Sequence, residues 1–250
     1  MSSLAIRLSL TFFFIVFLGA AVATLPASFL LNRLPLETSS LSYTTAYGTA
    51  WRGGVKGAVL GPLSLGHVVY DLSPFSTFTG SIRANISVRS EVLGGEAKVF
   101  KGTSRLHLSD AKIRFDVSQI PLLIPINGVL DVTLNTLDIA SGRCSAADGV
   151  ATLNGRVQLA DNQSLSFTGP IVCRDGAVAS TLSGTLGANP ILLEIVQGEA
   201  DTIDLRIKVE GLSEEQGLSA SVFGFVKTGS SYEFAQTLQL PYNAPNYDSH

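Results

Sequence analysis

The sequence predicts an all-β fold: a single N-terminal transmembrane helix followed by an elongated, curled antiparallel β-sheet. Three observations lead there. No charged residue stands between Arg7 and Arg33, and the run from Leu8 to Leu25 is predominantly apolar. Nearly every later segment alternates apolar and polar residues with the period of a strand. Twenty-three of the 24 glycines follow the apolar run and interrupt those alternations, and glycine within a strand marks bulges, tight bends and close backbone approach, hence a strongly curved sheet.

The elements follow in order. Residues 1–7 form a short leader and residues 8–30 the anchor. The 18 residues from Leu8 to Leu25 would reach roughly 27 Å as a helix, close to the hydrocarbon thickness of a bilayer. A cleaved signal peptide is the alternative, because Ala21-Val22-Ala23 offers a small-x-small site. The apolar stretch is longer than a signal h-region and runs past that site through Phe29, Leu30 and Leu31, which favours an uncleaved anchor. The leader is easier to retain than the long remainder is to hold back, so the N-terminus is expected in the cytoplasm and the bulk of the chain outside.

The body spans residues 36–238. In Thr202–Gly211, Ile203, Leu205, Ile207 and Val209 share one face while Asp204, Arg206, Lys208 and Glu210 share the other. Ile82, Ala84, Ile86 and Val88 repeat the pattern, as do Leu130, Val132 and Leu134 before the phase slips to Leu137 and Ile139, which suggests a bulge or bend. Residues 104–117 are expected as two strands around a Ser109-Asp110 turn, and residues 155–169 as two around an Asp161-Asn162 turn. Residues 177–187 and 218–227 complete the predicted strands. One-sided alternation favours antiparallel pairing over a buried parallel sheet. Residues 118–128, with Pro121 and Pro125 around Leu122, Leu123 and Ile124, read as a helical turn or apolar loop. The polar stretch 239–250, with two prolines, is expected to be a disordered tail.

A net charge of −3 from 17 basic and 20 acidic residues leaves no broad footprint for phosphate backbones, which argues against nucleic acid as a partner. No nucleophile elbow, phosphate loop, zinc-protease helix or EF-hand is present, so no catalytic residue, cofactor or metal ligand is assigned. His67, His107 and His250 sit at no ligand-like spacing. His67 and Asp71 would share a strand face, read as a satisfied polar pair and not as a catalytic one. Cys144 and Cys173 are the two cysteines. In an exported domain they most often pair, a bridge worth roughly 3 kcal/mol in the chain-entropy model; two buried free thiols are the alternative.

The single tryptophan, Trp51, sits in "GTAWRG" between Gly48 and Gly53. On a strand from Tyr47 it would share a face with Thr49 and point inward as a core residue; an exposed docking aromatic is the other reading. An N-terminal span is followed by this "GTxWxG" motif, then by "GPLSLGHVVYDLSPFSTFTG" and by glycine-punctuated strands. Later come "SGRCSAADGVATLNG" with Cys144 and "FTGPIVCRDGAVASTLSG" with Cys173. Taken in this order, the chain up to about residue 210 resembles the type II secretion system protein N family, the general secretion pathway N protein of Gram-negative bacteria.

The resemblance implies a non-enzymatic, single-span inner-membrane protein with its β-rich body in the periplasm. It also implies the outer-membrane secretin and the inner-membrane platform proteins as partners. The curled sheet is similar in style to AsmA-like lipid-transport domains, so a periplasmic lipid-binding groove is the alternative function, with lipid as its partner. Alternation cannot separate a closed core from an open groove, because both need it.

Overall fold

The computed structural model describes residues 13–14, 17, 20, 22–31, 41–60, 63–119, 126–158, 162–198 and 202–239. The expected leader 1–7, much of the expected anchor 8–30 and all but Gln239 of the expected tail lie outside the described residues. Among the described residues, no helix is long and apolar enough to cross a membrane. A short helix α1 covers Ala27–Leu31.

One antiparallel sheet holds all fifteen strands of the described residues. The first five are β1 Leu41–Ser42, β2 Thr45–Gly48, β3 Arg52–Leu60, β4 Leu63–Leu72 and β5 Ile82–Arg89, with a short helix α2, Pro74–Phe78, between β4 and β5. Next come β6 Leu93–Lys101, β7 Arg105–Asp116, β8 Ile126–Ala140, β9 Arg143–Gln158 and β10 Asn162–Arg174. The last are β11 Ala177–Leu186, β12 Asn189–Gln197, β13 Thr202–Glu210, β14 Val226–Thr228 and β15 Ser231–Gln239. From β3 to β13 each strand pairs with its successor; β15 then adds to β13, and β14 to β15. At the other edge β1 and β2 both pair with β3. The two edges do not meet. Because each strand turns back on the last, the ends of β2, β4, β6, β8, β10, β12 and β15 lie along one rim, the upper one. The ends of β3, β5, β7, β9, β11 and β13 form the lower rim.

Period-two patterning explains most of this, including the bulge: the β8–β9 register shifts between Leu134 and Thr136, and again between Asp138 and Ile139, where the apolar phase slips. Two expectations are corrected. Residues 105–116 form one strand, not two, because Asp110 adopts φ 50° and absorbs a register shift against β6 instead of turning the chain. Aspartate tolerates this left-handed conformation better than most residues. Asp110 also pairs with Lys98 at 2.8 Å, which holds its carboxyl below the usual carboxylate range.

Residues 218–222, expected as strand, belong to helix α3 Glu214–Val222. Ser213 caps it: its Oγ accepts from the Gln216 amide at 3.3 Å, and the Gln216 side chain accepts from the Ser213 amide at 3.0 Å. This reciprocal box fixes the helix start. Gly217 and Ala220 face inward, and a Cβ on Gly217 would collide with the Tyr232 ring. Of the apolar loop expected at 118–128, residues 120–125 lie outside the described residues; Val117–Gln119 form a 3-10 turn and β8 begins at Ile126.

The main core runs from β7 to β15 and includes α3. Leu182 and Val209 are its largest fully buried side chains. In β13, Ile207 and Val209 near the lower rim are buried, whereas Ile203 and Leu205 near the upper rim are half-buried. The buried residues of β3–β5 are smaller, such as Val55, Ala58 and Ala84.

Leu182→Ala is expected to cost about 2–5 kcal/mol, the range for emptying a fully buried leucine site. Ser213→Ala should cost about 1 kcal/mol, because it removes one cap. Urea denaturation of both variants checks the difference; equal losses would contradict this placement of the core.

Candidate functional site

Gly48 and Gly53 pair across β2 and β3, and the chain turns between them. β2 ends at Gly48 and β3 begins at Arg52, so Thr49, Ala50 and Trp51 cross the upper rim between them. Gly48 takes φ 83°, and a Cβ there would stand 2.5 Å from the Arg52 carbonyl oxygen. At Gly53 a Cβ would stand 2.5 Å from the Tyr47 carbonyl oxygen. Glycine is needed at both positions because the two arms of the hairpin touch.

This turn docks on the end of the N-terminal apolar run. Pro26 and Thr49 form an isolated antiparallel bridge. The Ala50 amide donates to the Leu25 carbonyl at 2.7 Å, and the Trp51 indole Nε1 donates to the Val22 carbonyl at 2.8 Å. The Val22 carbonyl also accepts from the Leu25 amide at 3.4 Å, so the indole adds a second donor from the sheet. Trp51 is half-buried and lies outside the main core cluster, so the expected inward core position on a continuous strand is corrected: the chain turns at 49–51 and aims the ring at Val22.

The polar neighbours of the turn are paired. Tyr70 Oη donates to the Thr49 carbonyl at 3.0 Å; burial, and secondarily Tyr47, push its hydroxyl pKa up, so it remains a donor. Arg52 and Asp71 form an ion pair at 2.8 Å, and His67 Nε2 contacts Tyr47 Oη. His67 therefore meets Tyr47 of β2 across β3, Asp71 meets Arg52 on the adjacent β3, and the two do not pair with one another. Asp71 meets Arg52 because the β3–β4 register sets those two residues opposite one another.

Cys144 and Cys173 form a disulfide, with Cα atoms 5.6 Å apart. The β9–β10 ladder runs from Gln158–Asn162 to Gly149–Ile171 and stops there. Beyond it the two strands continue toward the upper rim, where the bridge ties them together. The Cys144 amide also donates to the Gly176 carbonyl at 2.7 Å.

Below that bridge, the apolar face of β8–β15 curls around a trough of about 280 Å³. Its floor is buried Leu153, Leu165, Phe167 and Leu182 from β9–β11. Its walls include half-buried Leu130 on one side and Ile195, Ile203 and Leu205 on the other. Buried Val209, Phe225 and Phe234 close the lower end. Among the described residues lining it, Gln236 alone has a polar side chain. Filled with water, the trough offers almost no hydrogen-bond partners.

Titratable groups form no reaction centre among the described residues. His107 Nδ1 and Asp138 Oδ1 lie 2.8 Å apart across β7 and β8, half-exposed and away from the trough lining. Among the described residues, no cluster of three or more His, Cys, Asp or Glu could hold a metal ion. The sequence pattern marks Gly48, Trp51, Gly53 and the cysteines but not Val22 and Leu25, because nothing in local spacing links residues 29 positions apart.

Trp51→Phe keeps most of the ring volume and removes the indole donor, so a loss of about 1 kcal/mol is expected. Replacing both cysteines by serine should cost roughly 3 kcal/mol in the chain-entropy model. Thiol labelling of the denatured, unreduced wild type should give no label; two labels per chain would contradict the bridge.

No curated protein and no solved structure matches the chain. The sequence model for the type II secretion system (T2SS), protein N, matches residues 39–222, which takes in the sheet from β1 through α3 and therefore the Trp51 turn, the disulfide and the floor of the trough. By that match, covering well over half of its length, the chain belongs to the type II secretion system protein N family and is a component of that machinery.

Proposed function

We propose that the protein is a non-enzymatic link between the inner-membrane platform and the outer-membrane secretin of the type II system. In this reading residues 8–30 anchor it in the inner membrane, the sheet stands in the periplasm, and the machine exports folded proteins past it. Family membership carries the secretion role. A strand edge that is only partly paired among the described residues supports the linking role.

That edge is at β15. Its partner β14 covers only Ser231, Tyr232 and Glu233. The two-residue hairpin at Gly229-Ser230 makes Thr228 and Ser231 a hydrogen-bonded pair, and by alternation Ala235 and Thr237 point their backbone groups outward, away from β13. An edge of this kind accepts an added strand. Beside it α3 and β14 expose Leu218, Val222 and Val226, apolar side chains suited to the flank of a docked segment. Trp51 holds the opposite end of the sheet to the apolar N-terminal run, so among the described residues the body has one tethered edge and one only partly paired edge.

Deletion of the gene from a strain with an active type II system should reduce secretion of its substrates; normal secretion would remove this reading. Ala235→Pro eliminates one outward donor while leaving the β13 ladder intact, as proline permits on an edge. It should lower secretion and abolish cross-links from position 237 to secretin or platform proteins, with little change in melting temperature. Full secretion by this variant would rule out strand addition at β15.

A further inference from the structure

We propose that the trough beneath β8–β15 seats one acyl chain of a membrane phospholipid, admitted from the upper rim. The source of the lipid rests on the inner-membrane anchor proposed above; the site itself does not depend on the secretion role.

Four features specify the occupant. First, the lining is hydrocarbon except for Gln236, so a ligand must be hydrocarbon where it is enclosed. A peptide would bring backbone amides and carbonyls into a lining with one side-chain partner to offer, at heavy desolvation cost. Second, the trough, of about 280 Å³, is apolar along its length and narrow, so hydrocarbon sits inside while an ester and headgroup stay at the mouth.

Third, among the described residues burial is graded along the β12–β15 side of the trough. Val209, Phe225 and Phe234 are buried at the lower end, while Ile195, Ile203, Leu205 and Leu238 are half-buried toward the upper rim; on the β8 side Ile126 and Leu130 are both half-buried. The β12–β15 side is therefore more open above than below, the form that admits a chain end first. Gln236 stands on the open side, two residues from Leu238, where a polar group entering last would meet it. Fourth, the open end lies on the rim that carries the Trp51 turn. That turn is fastened to the apolar run through the Val22 and Leu25 carbonyls. The rim on which the trough opens is thus the one tethered to the bilayer-facing segment.

The Cys144–Cys173 bridge crosses the same rim between β9 and β10, where their ladder has ended. It joins the two strands that carry the floor residues Leu153, Leu165 and Phe167.

The test uses the full chain in vesicles of phosphatidylethanolamine and phosphatidylglycerol. The probe is a phosphatidylethanolamine with a diazirine near one acyl terminus, and labelled peptides are mapped by mass spectrometry after irradiation. Label is expected on the lower trough residues Val209, Phe225 and Phe234 as well as on residues 8–30. Leu205→Trp fills the mouth and should reduce trough labelling by roughly tenfold, as the loss of two or more methylene seats would, while labelling of residues 8–30 is unchanged. Ile203→Phe, a milder block, should give a smaller drop in the same direction, and Val226→Trp, outside the trough, none.

Label confined to residues 8–30 would overturn the trough site and leave the anchor standing. Label nowhere would overturn both. Trough labelling that persists in both mouth variants would show entry by another path and overturn the assigned mouth. Labelling by a diazirine fatty acid but not by the phospholipid would overturn the phospholipid source.

Discussion

An open sheet this long has one apolar face and no second layer large enough to cover it, and that constraint governs the rest of the molecule. The face from β7 to β15 is hidden by curling the sheet onto itself, which brings β8 toward β12–β15 across a shared interior. Curling needs the strands to bend without losing register. Bulges at Asp110 and after Leu134 and Asp138 supply the bends, and the antiparallel ladder carries the register from one strand to the next. Helix α3 closes the lower end, with small Gly217 and Ala220 allowing its backbone to settle against Tyr232 and the core.

A curled sheet that remains open keeps two liabilities, a free edge at each end and an interior not filled by its own side chains. The N-terminal edge is shortened by β1 and β2 and pinned by the Trp51 turn to the preceding apolar run. Among the described residues, the C-terminal edge is only partly covered by β14. The interior is left as the trough. These three features suit three different roles, with tethering at one edge, contact at the other and accommodation of hydrocarbon between them. None requires acid-base chemistry. The Arg52–Asp71, Lys98–Asp110 and His107–Asp138 pairs lie on wet strand faces, where such pairs contribute little to stability.

The disulfide acts at the one place where the ladder does not. Cys144 and Cys173 are joined where β9 and β10 have stopped exchanging backbone hydrogen bonds, so covalent closure replaces pairing along the rim. Arg174, just beyond, pairs with Glu194 of β12 across β11, which adds a polar clasp on the outer side of the same region. Each cysteine still pairs on its other side, Cys144 with Ile139 of β8 and Cys173 with Val178 of β11, so the bridge completes a rim that the ladder holds on both flanks.

The all-β class, the antiparallel pairing and most strand faces are legible in the residues alone, because alternation with period two is a local property and each strand reports its own face. Ile203 to Val209 show this directly, and the phase slip after Leu134 locates a bulge for the same reason. The motif order around Trp51 and the two cysteines is also enough to reach the family. Long-range contacts settle the remainder. Asp110 reads as a turn because aspartate suits turns, but pairing with β6 and β8 on both sides holds it within one strand. Residues 218–222 resemble a strand until the Ser213–Gln216 cap is taken into account, and that signal is present in "SEEQ". Trp51 reads as core because strand spacing says nothing of a turn whose partner, Val22, lies 29 residues away. Whether the apolar face encloses a filled core or a trough is equally unreadable from alternation: both need the same residues facing in, and only how far the sheet curls before its edges stop sets the space between them.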